Sequence, residues 1–406
     1  MMHKPLLGVK IVDLSMYVAG PAAARMMGEW GADVIKVEPL KGDNNRPAGR
    51  MIGMPIDDSN NPHNEVFNAN KRSLALDLKQ SEGKAILERL LSESNVFLTN
   101  FRTRALEKLG LDYESVSARH PHIIWCQVTG FGTEGPQAND PGFDTVAFWA
   151  RSGAMGDLPE KDTAPIPPLI AFGDMLTSET VCAGVGAALY QQARTGRGEK
   201  VMVSLYSNAI WALGVGVQST QYGDEYPKTR KNAVSPLVNS YRCADGVWIY
   251  MCVIDHERYY NAVMRAIDRE DLVDHPLYSD LAACKPVTPE LIRVIEEGFQ
   301  RYDHQEMHRR LTEADVAHSY IDKIKDIIHD AQALENHYVY PYTMRDGSTC
   351  IGPATPIKFG TVEDPEHRLS PLVGEHTVEI LLEYGYSREE IDALLARKVV
   401  GVYAKE

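Results

Sequence analysis

"GVKIVDLSMYVAGPAAARMMGEWGADVIKVE", residues 8–38, holds a strand, a helix and a second strand with hardly a residue between them. GVKIVDLS (8–15) reads as a β-strand. PAAARMMGEWG (21–31) is helical, with Pro21 suited to a first position and Gly31 as its stop. ADVIKVE (32–38) returns to strand. The alternation continues. SEGKAILERLLSES (81–94) places Ile86, Leu87, Leu90 and Leu91 on one helix face, and NVFLTNF (95–101) follows as a strand. A short helix, TRALEKLG (103–110), precedes the apolar strand HIIWCQVTGFG (122–132). Strands apolar on both faces, separated by helices, predict a parallel, helix-covered sheet: an α/β fold.

Farther on, DMLTSETVCAGVGAALYQQARTG (174–196) predicts a helix ending at Gly196. Strand EKVMVSLYS (199–207) and helix NAIWALGVGVQSTQY (208–222) follow. The polar stretch GDEYPKTRKNAVSP (223–236) reads as a linker. SYRCADGVWIYMCVI (240–254) predicts a β-hairpin about Asp245-Gly246, and helices fill 256–333. The end of the chain reads as a strand-like PATPIKFG (353–360) and two helices within 374–400. These divisions give a large domain over 1–222, a linker over 223–236, a small α+β domain over 237–333 and a terminal segment over 334–406.

The bulk numbers narrow the function. With 406 residues, 44% hydrophobic and 24% charged, the chain is an ordinary globular protein of two or three domains. A net charge of −14 argues against a nucleic-acid partner, which needs a basic face. Cys126, Cys182, Cys243, Cys252, Cys284 and Cys350 show no zinc-like spacing, and four lie in apolar runs, so a reducing compartment is expected. The first residues enter a strand without a secretory pattern, and no run of about 18 apolar residues could span a membrane. A cytoplasmic location follows as the expectation.

Several motifs fail on inspection. Glu38 ends strand two where a ribose-binding acid would sit, but Gly20 and Gly28 do not make G-x-G-x-x-G, so Glu38 reads as a solvated strand end. His304 and His308 in DHQEMHRRL lie one helical turn apart, with the glutamate misplaced for H-E-x-x-H and no third ligand; an exposed helix face is the simpler reading, and no metal site is expected. No serine sits in G-x-S-x-G. Two basic clusters, Lys71, Arg72 and Lys79 in one and Arg102, Arg104 and Lys108 in the other, lie near strand ends. They suit a phosphorylated ligand or plain solvation alike. In LIAFGDMLTSET (169–180), Asp174 stands at the start of a helix. As an N-cap it would contribute about 1 kcal/mol. With Gly173 allowing a tight turn and free N–H groups at 175–177, it could instead be a nucleophile kept ionised by the helix terminus, though on these residues alone capping is the simpler reading.

The segments DLSMYVAGPAAARMMGEWGADVIKVE, NKRSLALDLKQSEGK, PGFDTVAFWARSG, GDM, TGRGEKVMVSLY and GEHTVEILLEYGYSREEI, in that order, resemble the family III CoA-transferases over nearly the whole chain. LTNFRTRALEKLGLDYE and PGFDTVAFWARSG are similar to the branch that includes phenyllactate and 2-hydroxyisocaproate CoA-transferases. The resemblance implies a Rossmann-like large domain built from both chain ends, a small domain between them, and an interlocked homodimer. It implies transfer of CoA from an acyl-CoA to a free 2-hydroxy acid. Asp174 would attack the thioester, passing through an aspartyl-acyl anhydride and an aspartyl-CoA thioester. An ordinary aspartate, ionising near about 3.9, would need no general base. Gly173 and Asp144 would support it, although Asp144 reads equally as a turn residue. By position, CoA would be held by Tyr17, Val18, Ala19, Leu76, Lys79, Asn100, Phe101, Arg104 and Lys108, with Leu76 and Phe101 about the adenine. CoA thioesters would be substrates, with no tightly bound cofactor, and a 2-hydroxyacyl-CoA dehydratase a partner.

Two departures from the family stand out. Pro39 replaces an arginine that contacts phosphate in some members, and residues 223–262 lack a glycine-rich lid. Phe148, Trp149, Met155 and Tyr222 are acyl-pocket candidates that core packing would explain as well. An α-methylacyl-CoA racemase shares the aspartate but needs a proton-transferring histidine where Phe143 stands. A non-catalytic CoA-binding subunit would not need Asp174.

Overall fold

A computed structural model describes residues 4–360 and 367–403 of the chain. Strand β1 (Lys10–Leu14), helix α1 (Ala19–Glu29) and strand β2 (Asp33–Glu38) form the opening unit. Helix α2 (Pro62–Asn68), strand β3 (Arg72–Leu76), helix α3 (Ser81–Ser92) and strand β4 (Val96–Thr99) come next. Helices α4 (Thr103–Leu109) and α5 (Tyr113–Arg119) lead to β5 (Ile124–Thr129). The short α6 (Ala154–Asp157), the long α7 (Phe172–Thr195), strand β6 (Lys200–Ser204) and helix α8 (Leu205–Ala212) follow. The hairpin expected about Asp245-Gly246 is β7 (Val238–Arg242) against β8 (Trp248–Cys252), joined at its other edge by β9 (His318–Tyr320). Beyond it are the antiparallel pair β10 (Val339–Thr343) and β11 (Thr349–Pro353), then β12 (Val400–Gly401).

Seven strands make the main sheet, in the order β12-β3-β2-β1-β4-β5-β6. Neighbours from β3 to β6 are parallel, and β12 alone runs antiparallel on the β3 edge. Alternate residues of each strand feed two cores, as a period of two requires. Val12, Leu14, Val37, Leu74, Leu76 and Phe97 pack with α3 and the C-terminal helices. Ile11, Val34, Val96, Leu98 and Cys126 pack beneath α1 and α7. The chain forms two compact units, one of Met1–Ala154, Pro167–Val217 and Ala331–Glu406, the other of Met155–Ile166 and Gln218–Asp330. Among the described residues no helix is long and apolar enough to cross a membrane, and the cysteines are free, with Cys126, Cys182, Cys243 and Cys284 buried.

Four local readings change. Strand β9 (His318–Tyr320) interrupts the helices expected over 256–333. Helix α1 opens at Ala19, two residues before Pro21. Residues 208–222 are not one helix: Ser204 and Ser207 form a capping box that starts α8 at Leu205, and a separate short helix, Gly214–Ser219, follows its end, where glycine is a poor helix former. PATPIKFG contributes only Pro353 to a strand.

Several charges of the main sheet also differ from expectation. Lys71 is no solvated cation: its Nζ donates to Asp13 at 2.8 Å and Asn68 at 2.9 Å, and both ion partners are fully buried. Burial pushes Lys71 down to about 8 despite Asp13. Arg72 is taken by Asp33, Glu379 and Glu383. Glu38 is buried, not solvated, and accepts from Arg46 at 2.5 and 3.0 Å and from the Ser73 hydroxyl at 2.8 Å. Breaking a buried pair from one side strands the other charge, at about 3–5 kcal/mol. Lys71→Met is therefore expected to lower the urea midpoint of the unit containing β1, with a loss of unfolding free energy of that order. An unchanged midpoint would show that Asp13 finds compensation elsewhere.

Candidate active site

Strand β1 has β2 on one side and β4 on the other, so the chain leaves their carboxyl ends in opposite directions and a crevice opens between. A cavity of about 340 Å³ occupies that place. Its walls are Met16–Ala19 after β1, Asn100–Thr103 after β4, Val128–Gly130 at the end of β5, 140–143, Asp174 and Leu205.

The β1–α1 loop is held from several sides. Tyr17 has φ +66°, a left-handed conformation that is costly for a large side chain unless its surroundings enforce it. The Asn100 side chain brackets Met16, accepting its N–H at 2.9 Å and donating to its carbonyl at 2.6 Å. The Tyr17 N–H donates to Asp43 at 3.1 Å, and Asn45 donates to the Tyr17 carbonyl at 3.2 Å. Asp43 is in turn fixed by Lys36, whose Nζ also donates to the Ser15 carbonyl at 3.0 Å. Across the cavity mouth the Tyr17 ring meets Phe143 edge to face, centroids 5.3 Å apart.

Asp174 reaches the cavity from the first turn of α7. It is the third helical residue, not the cap; Ala171, left-handed at φ +65°, holds the cap position without a side-chain bond. Directly behind stands Asp144, which opens a π-helical turn over Asp144–Ala150, a local geometry frequent at functional sites. The fit there demands glycine: a Cβ on Gly173 would lie 2.3 Å from Asp144 Oδ1 and from Phe148 Cγ. The loop before the π-helical turn is equally tight, since a Cβ on Gly130 would lie 2.6 Å from the Cα of Gly142.

The electrostatics overturn the expectation of a plain ionised aspartate. Burial, with the charge of Asp144 added, raises Asp174 to about 7. Burial raises Asp144 to about 6, offset in part by the nearby N–H groups of Gly173 and Ala171. Those N–H groups lie outside good bonding geometry, and both Asp144 oxygens are buried without a hydrogen-bond partner.

Of the residues singled out in the sequence, Tyr17, Val18, Ala19, Asn100, Phe101 and Asp174 meet at this cavity, with Gly173 and Asp144 at its back. Leu76 does not line it: it lies in the core under β12, 2% exposed, where it offers no face to a nucleotide. Lys79, Arg104 and Lys108 are exposed beyond the carboxyl ends of β3 and β4, outside the cavity wall. Phe148 and Trp149 are buried and do not line the cavity, and Tyr222 is almost wholly exposed. Sequence reasoning missed Asp43 and Asn45, whose role depends on contacts that no local pattern announces. It also missed Gly130 as a cavity wall, though a glycine closing strand five was a usable signal. Among the described residues no cluster of three or more His, Cys, Asp or Glu side chains is placed to hold a metal. His308 instead pairs with His318 at 2.8 Å, and His304 with Asp245.

A parallel sheet with a crevice at its switch point and a carboxylate in the first turn of a helix defines an α/β protein with a candidate ligand site, and likeness to known proteins narrows it. The chain belongs to CoA-transferase family III, which it matches over residues 6–377. It is 37% identical to the (R)-2-hydroxy-4-methylpentanoate CoA-transferase of Clostridioides difficile, over 97% of this chain and 98% of that one. It is 36% identical to the cinnamoyl-CoA:phenyllactate CoA-transferase of Clostridium sporogenes, over 95% of each. Among solved structures, a CAIB/BAIF family protein from Brucella suis superposes with a TM-score of 0.78 at 27% identity, covering 94% of this chain and all of that one.

Overpacking a tight contact costs about 1–3 kcal/mol. Gly173→Ala is expected to destabilise the protein by that order in calorimetry, because backbone, Asp144 and Phe148 must part. A wild-type melting curve would mean that the contact is not tight.

Proposed function

We propose that the enzyme moves CoA from an acyl-CoA, of the enoyl or 2-hydroxyacyl kind, to a free 2-hydroxy acid, with Asp174 as the nucleophile. The observation that carries this is the position of Asp174: the one acidic side chain in the first turn of α7, opening on the switch-point cavity. The relatives that act on 2-hydroxy-4-methylpentanoate and phenyllactate support the acid class.

In the forward half-reaction an Asp174 oxygen bonds the thioester carbonyl carbon, the C–S bond breaks, and the electron pair leaves on sulfur. The product is an aspartyl-acyl anhydride. Thiolate attack on the Asp174 carbonyl then releases the first acid and leaves an aspartyl-CoA thioester. The incoming 2-hydroxy acid repeats both steps in reverse. One thioester replaces another, so no external energy source enters. Backbone N–H groups at the cavity wall are proposed to stabilise the developing oxyanion. Binding energy from the remote part of CoA serves to hold the reacting carbon in place.

Tyr17, Val18, Ala19, Asn100 and Phe101 form the wall against which pantetheine would run. Lys79, Arg104 and Lys108, exposed beyond the carboxyl ends of β3 and β4, are proposed to meet the phosphates of a path leaving along that edge. Leu76, being core, is replaced in this reading by Phe101 alone as adenine surface. The large domain over 1–222 with the terminal segment 334–406, and the small domain over 237–333, are proposed to pair with a second copy as an interlocked homodimer. The exposure of Trp211 (86%) and Val215 (83%) supports a covered surface there. A cytoplasmic location, no resident cofactor and a dehydratase as downstream partner complete the reading.

The racemase alternative is disfavoured by Phe143, which stands half-exposed against Tyr17 at the cavity and cannot move a proton. Deuterium at the α-carbon of a 2-methylacyl-CoA in D₂O, with no acid acceptor present, would restore it.

Hydroxylamine quenching during turnover is expected to convert Asp174 to a hydroxamate that mass spectrometry finds on the peptide from α7. Asp174→Ala is expected to lose transfer by about 10³-fold or more while still binding CoA. Undiminished turnover in that variant would leave a CoA-binding role only.

A further inference from the structure

The carboxyl pair at the back of the cavity is not explained by folding. Asp144 is 5% exposed, and both its oxygens are sealed from water without a hydrogen-bond partner. A buried, unpaired carboxylate is expensive unless it is protonated or matched. Its carboxyl group lies against the backbone of the residue before Asp174, so closely that Gly173 has no room for a Cβ. Two carboxyl groups sharing one buried site resist double ionisation.

The other ionisable groups on the surrounding elements are either paired or lie on other walls. Past the π-helical turn, Arg151 bonds Gln137 and covers the Tyr206 ring of α8. On α1, Arg25 is bound to Glu29. Glu179 lies farther along α7. Tyr17, Arg102 and Asp140 belong to the cavity's other walls. Against Asp174, the like charge that counts is that of Asp144.

We propose that Asp144 is a positioning residue that shares a single proton with Asp174 near neutral pH and holds that proton alone once Asp174 is acylated. This rests on the reading of Asp174 as nucleophile. Of the two singly protonated arrangements, the one with the proton on Asp144 attacks: the Asp174 oxygen bonds the acyl carbon, the C–S bond breaks, and sulfur leaves with the electron pair. Asp144 keeps its proton throughout, so the thiolate leaves and returns to the Asp174 carbonyl with no proton exchanged. No other species is consumed, and the pair resets when Asp174 is released.

The test is single-turnover acylation against pH, read as hydroxamate formed at Asp174, in wild type and Asp144→Asn. Wild type is expected to show an acid limb near neutrality. Removing the Asp144 charge removes a cause that raises Asp174, so the variant's limb should move about one to two pH units lower. A limb that stays in place, with Asp174 still labelled in both proteins, overturns the proposal and leaves the nucleophile reading standing. Absence of label in wild type overturns the nucleophile reading itself. Should Asp144→Asn fail to fold, ¹³C-carboxyl aspartate spectra of the wild type decide. Two signals that each report both titration steps, above the usual aspartate range, are expected. Two independent titrations in the ordinary range would overturn the pair.

Discussion

The loop from Ser15 to Val18 keeps its shape because charges are buried beneath it. Lys36 and Asp43 on one side, with Asp13 and Lys71 below, form pairs that lie out of water. Such pairs add little net stability compared with apolar packing, because desolvation offsets the attraction. What they supply is direction. Asp43 and Asn45 grip the backbone of Tyr17, Asn100 grips Met16, and a residue that would otherwise avoid φ +66° is held there. The cavity wall is thus set by hydrogen bonds with few alternative partners, and the rest of the site is arranged around it.

Two opposing effects meet at Asp174. The α7 terminus favours a negative charge by about 0.3–1 kcal/mol, less than about one pKa unit. Burial and the neighbouring carboxylate act the other way, and they win: the group moves up to about 7. As the proposed nucleophile, Asp174 has given up part of its ionisation at neutral pH, and its proton enters the proposed chemistry.

The sheet was legible because its signals are local and periodic. Ile11, Val34 and Leu98 fall on one face and Val12, Val37 and Phe97 on the other, as alternation requires. Strand β12 was not legible: Val400–Gly401 follows a helical pattern, and only its pairing with Leu76 and Ala75 makes it a strand. The same strand helps explain why Leu76 is core. Asp174 stood out by its glycine and helix start, yet its place in the first turn instead of the cap depends on the left-handed Ala171, which no alanine announces. Lys71 looked like a surface cation because a sequence shows charge and not the partner; Asp13 lies 58 residues away.

The account comes down to whether the thioester sulfur meets Asp174 at the crevice between β1 and β4. A crystal structure with CoA bound measures this directly. The account predicts the pantetheine running along Tyr17–Ala19 and Phe101, with its sulfur within about 3–4 Å of the Asp174 carboxyl group. A CoA whose sulfur lies in another cavity, out of reach of that side chain, would contradict it.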